Sequence, residues 1–557
     1  MRHLLVGGTA CVLLAGLLAG SVPALRADAP SLAGAWKVTM LPEGQQFTLW
    51  LVRLDDRGGK LTATLAGTGD PQLQGTRVEP PEFDGQRLRL TFRVERIPFH
   101  VVVHVPPGKD APKQLLGSVE VRGRRDPLVL ERTDQKTLDP KTAVVRTEAD
   151  KALDKALDIR APTEQAAELK AVVKAHPNEP AAYHAALALV VLGAEVGTAE
   201  DEMRARAEQA IKAAARYGPE LAQHARLEVS RALINSEKLT ALGLEYAEDA
   251  EKRLTDADPP VVRILLLRAM AAGTEKLGKP EQSAAVEARL KKAEEALVAI
   301  NPYPGRKGRG TRTVLVELFT GAACPPCVAA DFAFDALERT YKPADVILVQ
   351  YHLHVPGPDP LTNPETEKRA DFYEVGGVPA VYLNGEEGPA VGGPLGAAQD
   401  AYAALRMAID ARLEAPDAGE LQVKADREGD KVTIQAEYRG LKRAGGDVRL
   451  RFVLVEELVR YRGPNGQRFH HHVARAFPGG SDGFALKERA GRQSAAVDLA
   501  EVRKALRTYI EEQDKRVEFF GKDRPVELTR LKVVALVQDD KTKEVFQSAQ
   551  ADVPVGK

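Results

Sequence analysis

Residues 313–320, Thr-Val-Leu-Val-Glu-Leu-Phe-Thr, are apolar at nearly every position and broken by one carboxylate, Glu317. A strand with apolar side chains on both faces has to run through the middle of a sheet that is covered on both sides. Gly321-Ala322-Ala323 then supplies a turn, Cys324-Pro325-Pro326-Cys327 follows, and residues 328–340 continue as an amphipathic helix. The order strand, turn, C-x-x-C, helix puts the first sulfur at a helix N-terminus. Free backbone N–H groups and the helix dipole favour a thiolate there. A thiolate in that setting is the reactive species of thiol-disulfide exchange.

Cysteine is otherwise scarce. The third of the three in 557 residues, Cys11, lies in an N-terminal segment with Arg2 ahead of an apolar stretch and small residues ending in Val22-Pro23-Ala24. This layout predicts a secretory signal peptide over residues 1–27, cut after Ala24 or Ala27, and so an extracytoplasmic protein, periplasmic or secreted. Residues 4–24 would also just suffice for an uncleaved anchor. Once the peptide is removed, Cys324 and Cys327 remain in an oxidising compartment. A structural staple gains most by closing a long loop, and a spacing of three closes almost none.

Charges nearly cancel, 78 Lys plus Arg against 79 Asp plus Glu, so no overall field points to nucleic acid or to an anionic membrane. With 44% hydrophobic and 28% charged residues the composition is that of a globular protein, and no second stretch approaches a membrane span. At about 150 residues per domain, the length predicts three to four domains.

The pattern along the chain divides accordingly, and the expected fold class is multidomain α+β. Residues 31–135 alternate apolar and polar in short runs separated by turns such as Asp84-Gly85 and Pro106-Pro107-Gly108, which predicts an antiparallel β-barrel or sandwich. Gly34-Ala35-Trp36 at its start is similar to the opening of lipocalin-type barrels, where a Trp plugs one end, which makes a carrier of an apolar ligand a further reading of this domain. Residues 145–300 carry helical periodicity, with starts marked by Pro162, Pro180, Pro219 and Pro260. His176-Pro177-Asn178-Glu179-Pro180 is similar to a tetratricopeptide-repeat (TPR) junction, although no clean period follows, so a TPR-like helical region is expected. Residues 301–311 read as a linker, 312–414 as the domain carrying the cysteines, and 418–555 as a β-sandwich of the immunoglobulin-like kind with one helical insert.

From residue 313 to 413 the chain resembles the thioredoxin superfamily. Besides the C-x-x-C, residues 346–350 supply the next strand, and Gly377-Val378-Pro379-Ala380 is similar to the segment that bears the superfamily's cis-proline. Asn384-Gly385 supplies the following hairpin turn. Tyr351-His352, Asp359-Pro360 and Lys368-Arg369-Ala370 look like a secreted thioredoxin-like group whose members often carry a β-sandwich after the redox domain. The resemblance implies that Cys324 is the exposed nucleophile and Cys327 the resolving thiol. Pro379 would sit cis against the sulfurs, with Val378, Pro325 and Pro326 offering the edge to which an extended substrate binds. Glu317 takes roughly the place of the superfamily's buried acid, which can accept a proton from the resolving cysteine. Seven positions separate it from Cys324 where thioredoxin has six, and an ordinary buried carboxylate is the alternative.

Other chemistry is weighed on the same residues. A zinc site would need four ligands, and His352, His354 and the run His470-His471-His472 are the soft candidates beside the cysteines. A c-type haem site is excluded because Val328 follows Cys327. His470-His471-His472 is expected at a surface or interface, and Asp331 and Asp335 are expected to face water. No cofactor and no metal is implied. The expected function is an exported thiol-disulfide oxidoreductase acting on extracytoplasmic proteins with thiols or disulfides, together with an electron-donor or acceptor protein. The alternative is a non-catalytic envelope scaffold that keeps the same fold and the helical repeats as interaction modules.

Overall fold

The computed structural model describes residues 30–57, 60–95, 97–108, 110–255, 258–308, 310–416 and 419–555. The signal peptide expected over 1–27 lies outside them. Among the described residues the protein is mixed α+β with twelve α-helices, and no helix is long and apolar enough to cross a membrane. Two compact units form. Of the described residues, one takes 30–121, 125–185 and 212–222, and the other 122–124, 186–211 and 223–555.

In the first unit the strands Gly34–Met40, Gln46–Arg57, Lys60–Thr68, Arg87–Val94, Ile97–His104, Gln114–Val121 and Arg124–Arg132 follow the alternation seen in the sequence. With three two-residue strands they make one ten-stranded, barrel-like antiparallel sheet. Side chains fill its inside. Trp36, Trp50 and Phe92 have no exposed surface, and Trp50 stacks on Phe92 with ring centroids 4.1 Å apart. Each indole N–H finds an acceptor, Trp36 the Leu32 carbonyl and Trp50 the Thr76 hydroxyl, so neither buried donor is orphaned.

Eight of the helices lie between residues 148 and 295, and those beginning at Pro162, Pro180, Pro219 and Pro260 start where the sequence marks them. Proline is tolerated there because the first turn of a helix has no carbonyl waiting for its missing N–H.

The second unit is organised by a nine-stranded sheet. At its heart Val314–Thr320, buried at every residue, pairs parallel with Val346–His352 and antiparallel with Ala380–Leu383. Alternation along this strand sorts its side chains. Val314, Val316 and Leu318 join the core of the helix Cys327–Thr340 and of the helix Ala398–Leu413, whereas Leu315 and Phe319 join Tyr351 and Tyr373 on the other face.

The sheet does not end at the domain boundary suggested near residue 415. Val346–His352 would otherwise present a bare edge, and the strand Phe469–Ala476 covers it in parallel, with Gln350 opposite Val473. Gly445–Arg460, Leu531–Asp539 and Val545–Asp552 extend the sheet further. Three other C-terminal strands, Glu420–Glu428, Lys431–Arg439 and Gly491–Asp498, form a three-stranded sheet. Together with the helix Leu499–Asp514 it packs over the larger one around Ile434, Phe452, Leu506 and Val533.

Glu317 anchors the far face of this sheet. Its Oε1 accepts from Arg369 Nη2 at 2.7 Å and from the Tyr351 hydroxyl at 2.9 Å, and its Oε2 accepts from the Tyr373 hydroxyl at 2.6 Å. Arg369 in turn donates to Gln538 at 2.7 Å, which ties the helix Pro364–Tyr373 to the C-terminal strand Leu531–Asp539. A buried ion pair contributes little net stability against an apolar substitute, but removing one partner strands the other charge. Glu317→Ala is therefore expected to destabilise the protein by about 3–5 kcal/mol, measured by urea unfolding.

Candidate functional site

Thr320 ends the central strand, and Gly321 starts the turn to the cysteines. A side chain at residue 321 would place its Cβ 2.4 Å from the Val355 carbonyl oxygen, so the close passage of these two segments requires glycine. The helix starts at Cys327, which gives the second cysteine its first position and leaves Cys324 in the preceding turn. The two sulfurs are joined as a disulfide, with Cα atoms 5.4 Å apart. Pro325 and Pro326 stand exposed between them.

The Val378-Pro379 peptide bond is cis, and the Val378 carbonyl oxygen lies 3.8 Å from Cys324 Sγ. Gly393 N–H donates to the Pro326 carbonyl at 2.7 Å and ties the turn to the segment before the helix Ala398–Leu413. Cys324, Cys327, Val378, Pro325 and Pro326 therefore share one site with Pro379, while Glu317 does not belong to it.

That separation corrects the proton-accepting role considered for Glu317. As an odd-numbered position of the strand it points to the Tyr351, Arg369 and Tyr373 side, and the cysteine helix lies on the even-numbered side. A strand's two-residue period leaves it no route to the sulfurs.

A second correction concerns exposure. Cys324 is only 2% exposed and Cys327 is fully buried, so Cys324 is not the open nucleophile implied by the resemblance. The turn at residues 463–466, between the strands Gly445–Arg460 and Phe469–Ala476, lies over it. Asn465 N–H donates to the Ala322 carbonyl at 3.1 Å, and its Nδ2 donates to the Cys324 carbonyl at 3.4 Å.

Two further expectations change. Asp331 does not face water: it is 1% exposed, and its Oδ1 accepts from Thr320 Oγ1 at 2.8 Å and from Gln350 Nε2 at 2.9 Å. Asp335 is half-buried, within 3.8 Å of His471. Nor do His470 and His472 lie on a surface, because their strand is an interior strand of the sheet, and His471 is half-buried. His470 is buried, its Nε2–H donating to the Tyr461 carbonyl at 3.1 Å, and His472 lies 3.4 Å from Glu338 of the cysteine helix.

Beneath the cysteine turn these residues join a buried polar chain. Gln350 Oε1 lies 3.2 Å from His352 Nε2, and His352 Nδ1 lies 2.8 Å from Asp359 Oδ2, which also accepts from Ala322 N–H at 2.6 Å. His470 packs edge-on to His352 at 4.9 Å. Burial holds the His470 imidazole neutral, its pKa down at about 3, with the nearby His352 adding to the effect. Burial would raise Asp359, but the charge and hydrogen bond of His352 and the N–H groups of Ala322 and Leu361 outweigh it and hold its pKa low. At Asp331 burial outweighs the charge of His352 and the hydrogen bond from Thr320 and drives its pKa up to about 8. Among the described residues no group of three or more His, Cys, Asp or Glu side chains is placed to hold a metal ion.

Sequence reasoning missed Asp331, Gln350 and Asn465. The first left a signal in its spacing, four residues after Cys327 and so on the same helix face. Asn465 left none, because its contact with Cys324 spans 141 residues.

No family model and no curated protein matches the chain. Among solved structures, HBP35 of Porphyromonas gingivalis is similar at 14% identity and a TM-score of 0.32, over 45% of this chain and 78% of that one. A TM-score at that level does not define a shared fold.

Two outcomes follow from the geometry. A Cβ at residue 463 would lie 2.5 Å from the Ala322 carbonyl oxygen, so Gly463→Ala should push the turn off the disulfide. Reduction by dithiothreitol, followed by thiol alkylation, is expected to quicken by about tenfold or more, given how far access controls exchange. Asp331 keeps its proton in the folded protein up to about pH 8, whereas the unfolded chain releases it near pH 4. Its presence therefore costs stability increasingly as pH rises through that window. Asp331→Asn should relieve the cost by up to about 1.4 kcal/mol per pH unit between 4 and 8, in urea unfolding followed against pH.

Proposed function

We propose that the protein is an exported thiol-disulfide oxidoreductase with a thioredoxin-like redox domain at residues 312–414. The observation that carries this reading is the disulfide between a buried central strand and a helix, with the cis Val378-Pro379 backbone against Cys324. Cys324 attacks a substrate disulfide or receives a substrate thiol, and Cys327 resolves the mixed disulfide. The carbonyl of Val378 stands beside the sulfur, where an extended substrate can pair with the backbone as an added strand. Pro325 removes one amide that would otherwise solvate a thiolate, and no histidine stands between the cysteines. Both favour a reducing or isomerising potential over a strongly oxidising one.

The flanking parts are read as a barrel-like domain at 31–135, a TPR-like helical region at 145–300 and an immunoglobulin-like sandwich at 418–555. They serve to dock exported partners or the cell envelope. The extracytoplasmic location rests on residues 1–27 and on a disulfide suited to an oxidising compartment.

A second reading, a scaffold whose disulfide never turns over, is favoured by one observation, the 2% exposure of Cys324 beneath residues 463–466. Two experiments separate them. Titration against glutathione, read by alkylation mass shift, is expected to give one two-electron transition, with insulin reduction beside it. Cys327→Ser expressed in an oxidising periplasm is expected to accumulate partners joined through Cys324 and released by reductant. A pair that stays oxidised throughout the titration, with no covalent partner trapped, would establish the scaffold instead.

A further inference from the structure

The turn at residues 463–466 is held by two partners. One is the cysteine turn, which it meets through Asn465 and through the close passage of Gly463 over the Ala322 carbonyl. The other is a pair of helices from the helical region, Pro260–Lys276 and Pro280–Glu295. We propose that these helices form an ionic clamp that keeps the turn shut over the disulfide, so that access to Cys324 is set by groups outside residues 312–414. The clamp is a physical contact in its own right, and its use as a control of catalysis rests on the thiol-disulfide reading above.

Three arginines where the strands Gly445–Arg460 and Phe469–Ala476 connect carry the contact. Arg468 is buried, and it donates to Glu287 at 2.7 Å and to Glu275 at 3.2 Å. Arg460 donates to the same Glu287 oxygen at 2.7 Å, and Arg462 Nη1 lies 3.8 Å from Glu275. Charge-assisted pairs that share acceptors and lie partly out of water hold better than an isolated surface pair. Of the two hydrogen bonds from Asn465 to the cysteine turn, one is 3.4 Å long and weak, so the ion pairs supply the stronger hold. Within the connection the Tyr461 N–H donates to the Arg468 carbonyl at 3.0 Å and the Gly463 N–H to the Gln467 carbonyl at 2.8 Å, so the arginines and the turn move as one piece.

The helices are in turn fixed to the helix that begins at Cys327. Ile264, Leu267 and Ala271 share a core with Val328, Phe332 and Ala333. Arg268 joins all three parts. It donates to Glu294 at 2.8 Å, its guanidinium carbon lies 5.6 Å from the centroid of the Phe332 ring, and a Cβ at residue 466 would lie 3.3 Å from its Nη1. Breaking the pairs at Glu275 and Glu287 therefore loosens the turn while the apolar contacts that seat the helices remain.

Two readouts on the full chain test the clamp: deuterium uptake by the amides of residues 461–467, followed by mass spectrometry, and reduction by dithiothreitol, followed by thiol alkylation. Glu275→Gln and Glu287→Gln each leave Arg468 one glutamate, so neither strands the buried guanidinium. Each is expected to quicken both readouts by about three- to tenfold, with uptake in the strand Gly34–Met40 unchanged. In the wild type, raising NaCl from about 0.05 M to about 1 M should quicken both by about two- to threefold by screening the exposed pairs of Arg460 and Glu275, which needs no variant to fold. Gly463→Ala, whose turn is already displaced, should lose that response. Readouts that respond neither to the substitutions nor to salt overturn the clamp alone, and so does uptake that quickens while reduction does not. A Glu287→Gln protein that dithiothreitol reduces faster but that turns over no insulin overturns the oxidoreductase reading and leaves the clamp standing as a contact.

Discussion

A carboxylate without exposed surface, Glu317, is the constraint around which the second unit is arranged. Bringing its charge out of water is tolerable only because a guanidinium and two phenols meet it, and those come from a neighbouring strand and from a helix 52 and 56 residues away. Through Gln538 the same knot reaches the C-terminal strands, so the strands that present the cysteines and those that close the chain are tied together within one sheet. Burial keeps Tyr351 and Tyr373 as neutral phenols that donate to this carboxylate.

Fixing that face leaves the other free for chemistry. The central strand alternates between an ion-paired side and a side with Thr320 alone as its polar contact to the cysteine helix. Charge compensated by Arg369 lies behind the sheet, and an acid whose burial outweighs its partners lies in front. The division follows from strand periodicity, which cannot send neighbouring residues to the same layer.

Much of this was legible in the residues. The apolar run at 313–320 required a central strand, alternation placed the strands of residues 31–135, and prolines marked helix starts. The three-residue spacing of Cys324 and Cys327 was legible on its own, whereas Val378 and Pro379 came only from the resemblance to a known family. What escaped was set by pairing between distant segments. The single pair Gln350–Val473 makes one sheet from two apparent domains, and nothing in either stretch encodes the partner. Burial of His470 and of Asp331 follows from that pairing and from the helix packing, so both polar side chains read as solvated when judged by type alone.

The cover over Cys324 has a consequence in time. The turn bearing Asn465 is 141 residues downstream of the cysteine it touches. A chain emerging N-terminus first therefore presents both thiols bare until the strands Gly445–Arg460 and Phe469–Ala476 have followed them out. The bond between the sulfurs has its widest access to an oxidant while the protein is still being made, and strands that emerge more than a hundred residues later shut it in.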